Sequence, residues 1–181
     1  MKKYFRSGFD LIQRARFPFP LLLFIVALGS FAVMLPFLGF YWDDWQNIFI
    51  YRLRGLSAFW PYFAYDRPFS AWTYIVTVPL LQTSPLGWQI YSLALRYLTA
   101  LGFWLAFRGV WGRRREVDWI ALIILVYPVF LQQPISVAYS QHWLCYALFA
   151  FSLSATVWSV RRPRSWWLVF PALAASGLQL F

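Results

Sequence analysis

Charged positions are rare along this chain and fall in a pattern. From Phe17 to Trp42 there is no charge, and from Trp119 to Val160 there is none apart from a protonatable His142. Each run exceeds the roughly 20 residues a helix needs to cross the hydrocarbon core of a bilayer. A third apolar run, from Trp88 to Phe107, is interrupted only by Arg96. The pattern predicts an all-α protein, a polytopic transmembrane helical bundle. The reading divides the chain into a basic N-terminus (1–16), a first span (17–40) and a long first outer loop (41–86). A second span (87–107), a cytoplasmic loop (108–116) and a third span (117–132) follow. A short outer loop (133–141), a fourth span (142–160), a second cytoplasmic loop (161–164) and a fifth span (165–181) complete it.

The first outer loop has its own periodicity. Trp45, Ile48, Phe49, Leu53 and Leu56 recur at helical spacing, with Gln46, Asn47, Tyr51 and Arg54 elsewhere on the wheel. This predicts an interfacial, juxtamembrane helix. Gly55 and Ser57 end it, and Phe59, Trp60, Tyr62, Phe63 and Tyr65 form a cluster of the kind that lies at headgroup level. The apolar run from Pro68 to Gln82 is too short to cross comfortably, and charge decides how to place it. If it spans, 5 basic residues lie inside and 10 outside; if it stays at the interface or re-enters, 12 lie inside and 3 outside, with Arg96 in the membrane. The positive-inside rule selects the second arrangement. It predicts a multi-pass protein of the plasma (inner) membrane with a cytoplasmic N-terminus.

Composition agrees: 61% of residues are hydrophobic and 12% charged, against about a quarter charged in soluble domains. A formal charge of +10 would suit nucleic acid, but its distribution does not. Lys and Arg gather in Lys2–Arg16, Arg108–Arg115 and Arg161–Arg164, each abutting an apolar run. Membrane lipid, and no nucleic acid, is the expected partner. One cysteine precludes an intrachain disulfide and one histidine a His/Cys metal cluster. The N-terminus lacks a small-x-small cleavage site and reads as an uncleaved span.

The outer face carries the candidate chemistry. Asp43 and Asp44 stand side by side where the first span emerges, between Trp42 and Trp45. One acid at this place is explained as a helix cap. A second adds a site for catalysis or cation binding, because two close carboxylates push one pKa up and leave a proton acceptor near neutrality. Asp66-Arg67-Pro68 is a second charged point: a local ion pair, or a guanidinium placed to clamp a phosphate. Arg96, a charge inside a span, needs a partner or a wet cavity, and His142 stands at the outer mouth of the fourth span. No glycine-rich phosphate loop or dinucleotide fingerprint is present, and one histidine cannot complete a Ser/His/Asp set.

The order of these features resembles the GT-C superfamily of polytopic glycosyltransferases, which includes protein O-mannosyltransferases and aminoarabinose transferases. The resemblance rests on Asp43-Asp44 directly after the first span, the interfacial loop, Asp66-Arg67-Pro68-Phe69, and the turn Ser84-Pro85-Leu86-Gly87-Trp88 leading into the second span. It covers about residues 15–115. It implies hexosyl or pentosyl transfer from a polyprenyl-phosphate donor to an acceptor on the extracytoplasmic face. Asp43 would be the base and Asp44 its helper or the ligand of a divalent metal (Mg or Mn). Asp66, Arg67, Arg96 and His142 would serve the substrate and its phosphate. Five spans are fewer than the family's catalytic core, and the last apolar run has no closing polar flank, which predicts an N-terminal part of a longer protein. The competing reading is a non-catalytic membrane subunit or transport component with an intramembrane Asp/Arg network.

Overall fold

A computed structural model of the chain describes residues 18–65, 67–68, 70–127 and 133–178, and among them every regular element is helical. Helix α1 (Phe19–Ala27) follows Pro18 and continues through a π-helical turn, Leu28–Ala32, and a 3-10 turn, Leu35–Phe37. Helices α2 (Asp43–Arg54), α3 (Phe59–Phe63) and α4 (Ala71–Leu81) follow. Then come α5 (Pro85–Trp111), α6 (Arg115–Val126), α7 (Ser136–Arg161), a 3-10 segment (Pro163–Leu168) and α8 (Val169–Leu178).

Three helical stretches are long and apolar enough to cross a membrane: Phe19–Phe37, α5 and α7. Helix α4 has 11 residues, about 16 Å at 1.5 Å per residue, and is too short to do so. Helix α6 has 12 and stops at Val126, where the third span was expected to run to Gln132; residues 128–132 lie outside the described part. The fourth span was expected to begin at His142, yet α7 starts at Ser136. The polar stretch Ser136–Gln141 is therefore helical, and its first backbone N–H groups find an acceptor inside the protein.

Helices α5 and α7 form the spine and run parallel. The Ser92 hydroxyl donates to the Ser136 carbonyl, Thr99 to Trp143, and Trp158 Nε1 to Leu105, so both numbers rise together. The backbones approach closely at glycines. A methyl group at Gly102 would lie 2.8 Å from the Ala150 Cβ and 3.2 Å from its backbone, and one at Gly109 would lie 2.5 Å from Val157 Cγ1. Small residues at helix contacts supply packing where lipid removes the hydrophobic drive between helices. Gly102→Ala is expected to cost about 1–3 kcal/mol by overpacking. Gly177→Ala, with nothing within 4 Å, should leave the thermal melt of the detergent-solubilised chain unchanged.

Two cores divide the molecule. Leu23, Ala27, Leu93, Trp104, Ala121 and Leu125 join α1, α5 and α6. At the opposite end Ile48, Phe59, Phe63, Tyr74, Trp88 and Val137 bind α2, α3 and α4 onto the starts of α5 and α7. In this second core the Tyr74 ring stacks on Phe59 at 4.8 Å and on Phe63 at 5.3 Å.

Helix α2 turns most of its apolar stripe outward and its polar face, with Ile48, inward. The face carrying Trp45, Phe49 and Leu53 points outward, Leu53 being 80% exposed, while Asp44, Asn47 and Ile48 are buried. A helix at a lipid interface does this when its inner face meets polar groups of the protein and its outer face meets apolar surroundings.

Candidate functional site

The two aspartates that open α2 part company at once. Trp42, just before them, holds φ 46° and ψ −117°, a conformation that favours glycine. Successive helical residues point about 100° apart, so Asp44 turns inward and Asp43 outward. Asp44 is 0% exposed. Its Oδ1 accepts from the backbone N–H groups of Val137 (2.9 Å) and Ala138 (2.8 Å). Its Oδ2 accepts from Ser136 (3.1 Å) and Tyr41 (3.4 Å). The residue preceding α7, Ile135, has no side chain able to cap it. Asp44 supplies that cap from another helix, satisfying orphan N–H groups and meeting the positive end of the dipole.

Arg96 does the converse. Helix α6 ends without a cap of its own, and Arg96 Nε donates to the Leu125 carbonyl (2.8 Å) and Nη2 to the Tyr127 carbonyl (3.3 Å). Its guanidinium lies 4.0 Å from the Phe31 ring centroid and 4.9 Å from that of Trp143. Two buried charges of opposite sign thus hold the two helix ends that flank residues 127–135. Gln89 and Gln133 hold the connection itself, through Gln89 Nε2 to the Pro134 carbonyl (2.9 Å) and Gln133 Nε2 to the Gln89 carbonyl (3.1 Å).

These placements give Asp44 and Arg96 structural tasks. Both Asp44 oxygens face backbone N–H donors, a setting that disfavours a cation. No group of three or more His, Cys, Asp or Glu among the described residues is arranged to hold a metal. Arg96 gives Nε and Nη2 to the end of α6, while its Nη1 is buried without a hydrogen-bond partner. Asp66 lies outside the described residues.

Asp43, Arg67 and His142 do come together. They line a cavity of about 330 Å³ between α2, α3, α4 and α7, with Gln46, Asn47, Tyr62, Phe63, Tyr74, Ala138, Tyr139 and Gln141. Asn47 donates its Nδ2 to the Asp43 carbonyl at 3.0 Å, yet its Oδ1 has no hydrogen-bond partner, and neither has Gln141 Oε1. Both side chains are more than nine-tenths buried. Buried acceptors of this kind are paired with protein, water or ligand in folded proteins. Arg67 stands 5.6 Å from the Phe63 ring centroid, and the Tyr139 ring lies 5.3 Å from His142. Tyr74 is not a base here, because burial pushes its phenol well above the usual range; the hydroxyl donates to the Val137 carbonyl at 3.4 Å.

Burial also raises the Asp44 carboxyl, to about 6, while the N–H donors of Ala138, Tyr41, Val137 and Ser136 pull the other way. The folded chain then holds this proton more tightly than the unfolded chain, whose carboxyl has the ordinary value of 3.8. The corresponding stability is complete below that value and is lost as pH rises through 6. The melting temperature of the wild type relative to Asp44→Asn is expected to fall between pH 4 and pH 7, as scanning in matched buffers will show.

The pocket liners Tyr62, Tyr139 and Gln141 come from two separate stretches, and in the sequence Tyr62 read only as part of a headgroup-level aromatic cluster. Asn47 was readable only as a polar residue off an apolar stripe. Its use follows from α2 turning its polar face inward. No protein-family model, curated protein or solved structure matches the chain.

Proposed function

We propose that the chain is an integral membrane glycosyltransferase of GT-C type, or part of one. It would take a sugar from a polyprenyl-phosphate donor and pass it to an acceptor on the extracytoplasmic face. The observation that carries this reading is the cavity itself. It sets a carboxylate, a guanidinium, an imidazole and two open amide acceptors among four aromatic rings, at the end of the crossing helices remote from the arginine-rich loops. Sugar hydroxyls suit a lining rich in polar side chains such as Asp43, Gln46 and His142, and their C–H faces suit the rings. Arg67 faces the cavity with the forked donors a phosphate accepts.

In this scheme the acceptor hydroxyl gives its proton to Asp43 as its oxygen attacks the anomeric carbon. The bond from that carbon to the phosphate oxygen breaks, and polyprenyl phosphate leaves with the electron pair and its charge against Arg67. Asp44 takes no part in the chemistry and fixes α7, hence Tyr139, Gln141 and His142, against α2. The rival reading, a non-catalytic subunit, placed Asp43, Asp44 and Arg96 in one network. Asp44 and Arg96 instead bind different helix ends.

Membranes containing the full chain are expected to move labelled sugar from a polyprenyl-phosphate donor to an acceptor. Arg67→Gln should raise KM for the donor about tenfold, the loss of one charge-assisted contact, with kcat changed little. Absence of transfer from every lipid-linked sugar tried, by folded protein, removes the proposal.

A further inference from the structure

The opposite end of the bundle carries a second built feature that the transfer reaction does not use. Where α5 ends, α6 begins and α7 ends, two hollows adjoin. One, of about 220 Å³, is lined by Arg108, Arg113, Arg114, Arg115 and Asp118 around Gly112. The other, of about 250 Å³, is lined by Arg108, Arg113, Arg161 and Arg162 with Gly109, Gly112 and Trp158. Arg108, Arg113 and Gly112 belong to both. We infer that this paired cradle binds the headgroup of an anionic phospholipid carrying two phosphodiesters, one in each hollow.

Three observations support a shaped site beyond a simple orientation signal. First, two of the arginines are held in place: the Arg108 guanidinium lies 4.6 Å from the Trp104 ring centroid and that of Arg162 lies 4.6 Å from Trp158. A guanidinium stacked on an indole keeps its N–H edges available for oxygen acceptors. Second, the one acid lining either hollow is already engaged, since Asp118 Oδ1 accepts from Trp104 Nε1 at 2.7 Å. Six arginines line the two hollows against this one acid, so the local field is positive. Third, Gly112 sits at φ +78° and leaves open space where a side chain would stand, so the turn between the hollows stays clear.

Depth argues for a lipid as the source of the phosphates. The cradle lies at the ends of α5 and α7, two helices long enough to cross a bilayer. Trp111, Trp166 and Trp167 are exposed at or just beyond the same helix ends, as tryptophans are at headgroup level. Basic hollows between helices at that level suit an anionic headgroup, and two adjoining ones suit a headgroup with two phosphates.

The test uses the full chain purified in neutral detergent, with its melting temperature followed on addition of diphosphatidylglycerol. Phosphatidylglycerol at equal phosphate and inorganic pyrophosphate serve as the comparison probes. Diphosphatidylglycerol is expected to raise the midpoint by about 5 °C, phosphatidylglycerol by less than half as much, and pyrophosphate not at all. The double variant Arg108→Gln/Arg113→Gln should lose the lipid-specific rise. Arg113→Gln alone, at an exposed turn, should reduce it if the double variant does not fold. Equal shifts from the two lipids, or from wild type and Arg113→Gln, overturn the inference. A shift from pyrophosphate without one from lipid overturns the lipid assignment. None of these outcomes depends on sugar transfer.

Discussion

Replacing Asp44 with alanine is expected to lower the melting temperature of the solubilised chain by about 6–12 °C, the equivalent of about 3 kcal/mol in a protein of this size. The reason lies in what the carboxylate leaves behind. Ser136 and Val137 would each keep a buried N–H group at the start of α7 with no acceptor, and Ala138 and Tyr41 would each lose the acceptor of a part-buried one. An unsatisfied buried donor costs about 1–3 kcal/mol, and removing a charge from a helix start adds to that. Raising the Asp44 pKa to about 6 does not contradict the large loss. Bringing the carboxylate inside is costly, but once the fold is built around it, deletion orphans everything it touches. Asp43→Ala is the internal control: Asp43 is exposed and its side chain lines the cavity. Its melting temperature should stay close to that of the wild type. Equal melting of Asp44→Ala and wild type would show that α7 does not need this cap.

The helical character of the chain was legible because charge-free runs longer than a bilayer admit few alternatives. The short length of α4 was legible too, because Pro68 and Gln82 bound an apolar run too brief to cross. Other features were hidden for physical reasons. A charge in a span reads as functional, but Arg96 answers a backbone need created 29 residues later, where α6 stops short and exposes carbonyls. No periodicity announces such a stop. The spacing of Gln89, Ser92, Arg96 and Thr99 did hold the signal: these residues share one face of α5, and all four are buried. A polar stripe inside a span points to a neighbour with unpaired backbone. For α2, an apolar stripe was taken to show which face lies against the membrane surface, and that stripe does face outward. What it could not reveal is that the opposite, polar face forms part of a cavity with residues almost a hundred positions away.

Asp43→Asn is expected to reduce sugar transfer by about 10²–10⁴-fold, the range that a positioned general base contributes, while the protein folds and melts as the wild type does. The separation of effects follows from geometry. Asp43 and Asp44 are neighbours in sequence, yet one faces the cavity with Arg67 and His142 and the other is enclosed by the start of α7. Asparagine keeps the volume of the side chain, and the Asp43 carbonyl that receives Asn47 Nδ2 is backbone and unaffected. Only the ability to accept a proton is lost, so kcat should fall with KM for the donor little changed. Arg67→Gln should show the reverse division, and the pair assigns one residue to chemistry and the other to holding phosphate. Unchanged turnover in Asp43→Asn would remove Asp43 as the base. A fall in turnover accompanied by a lower melting temperature would instead give Asp43 a structural role like that of Asp44 at the start of α7.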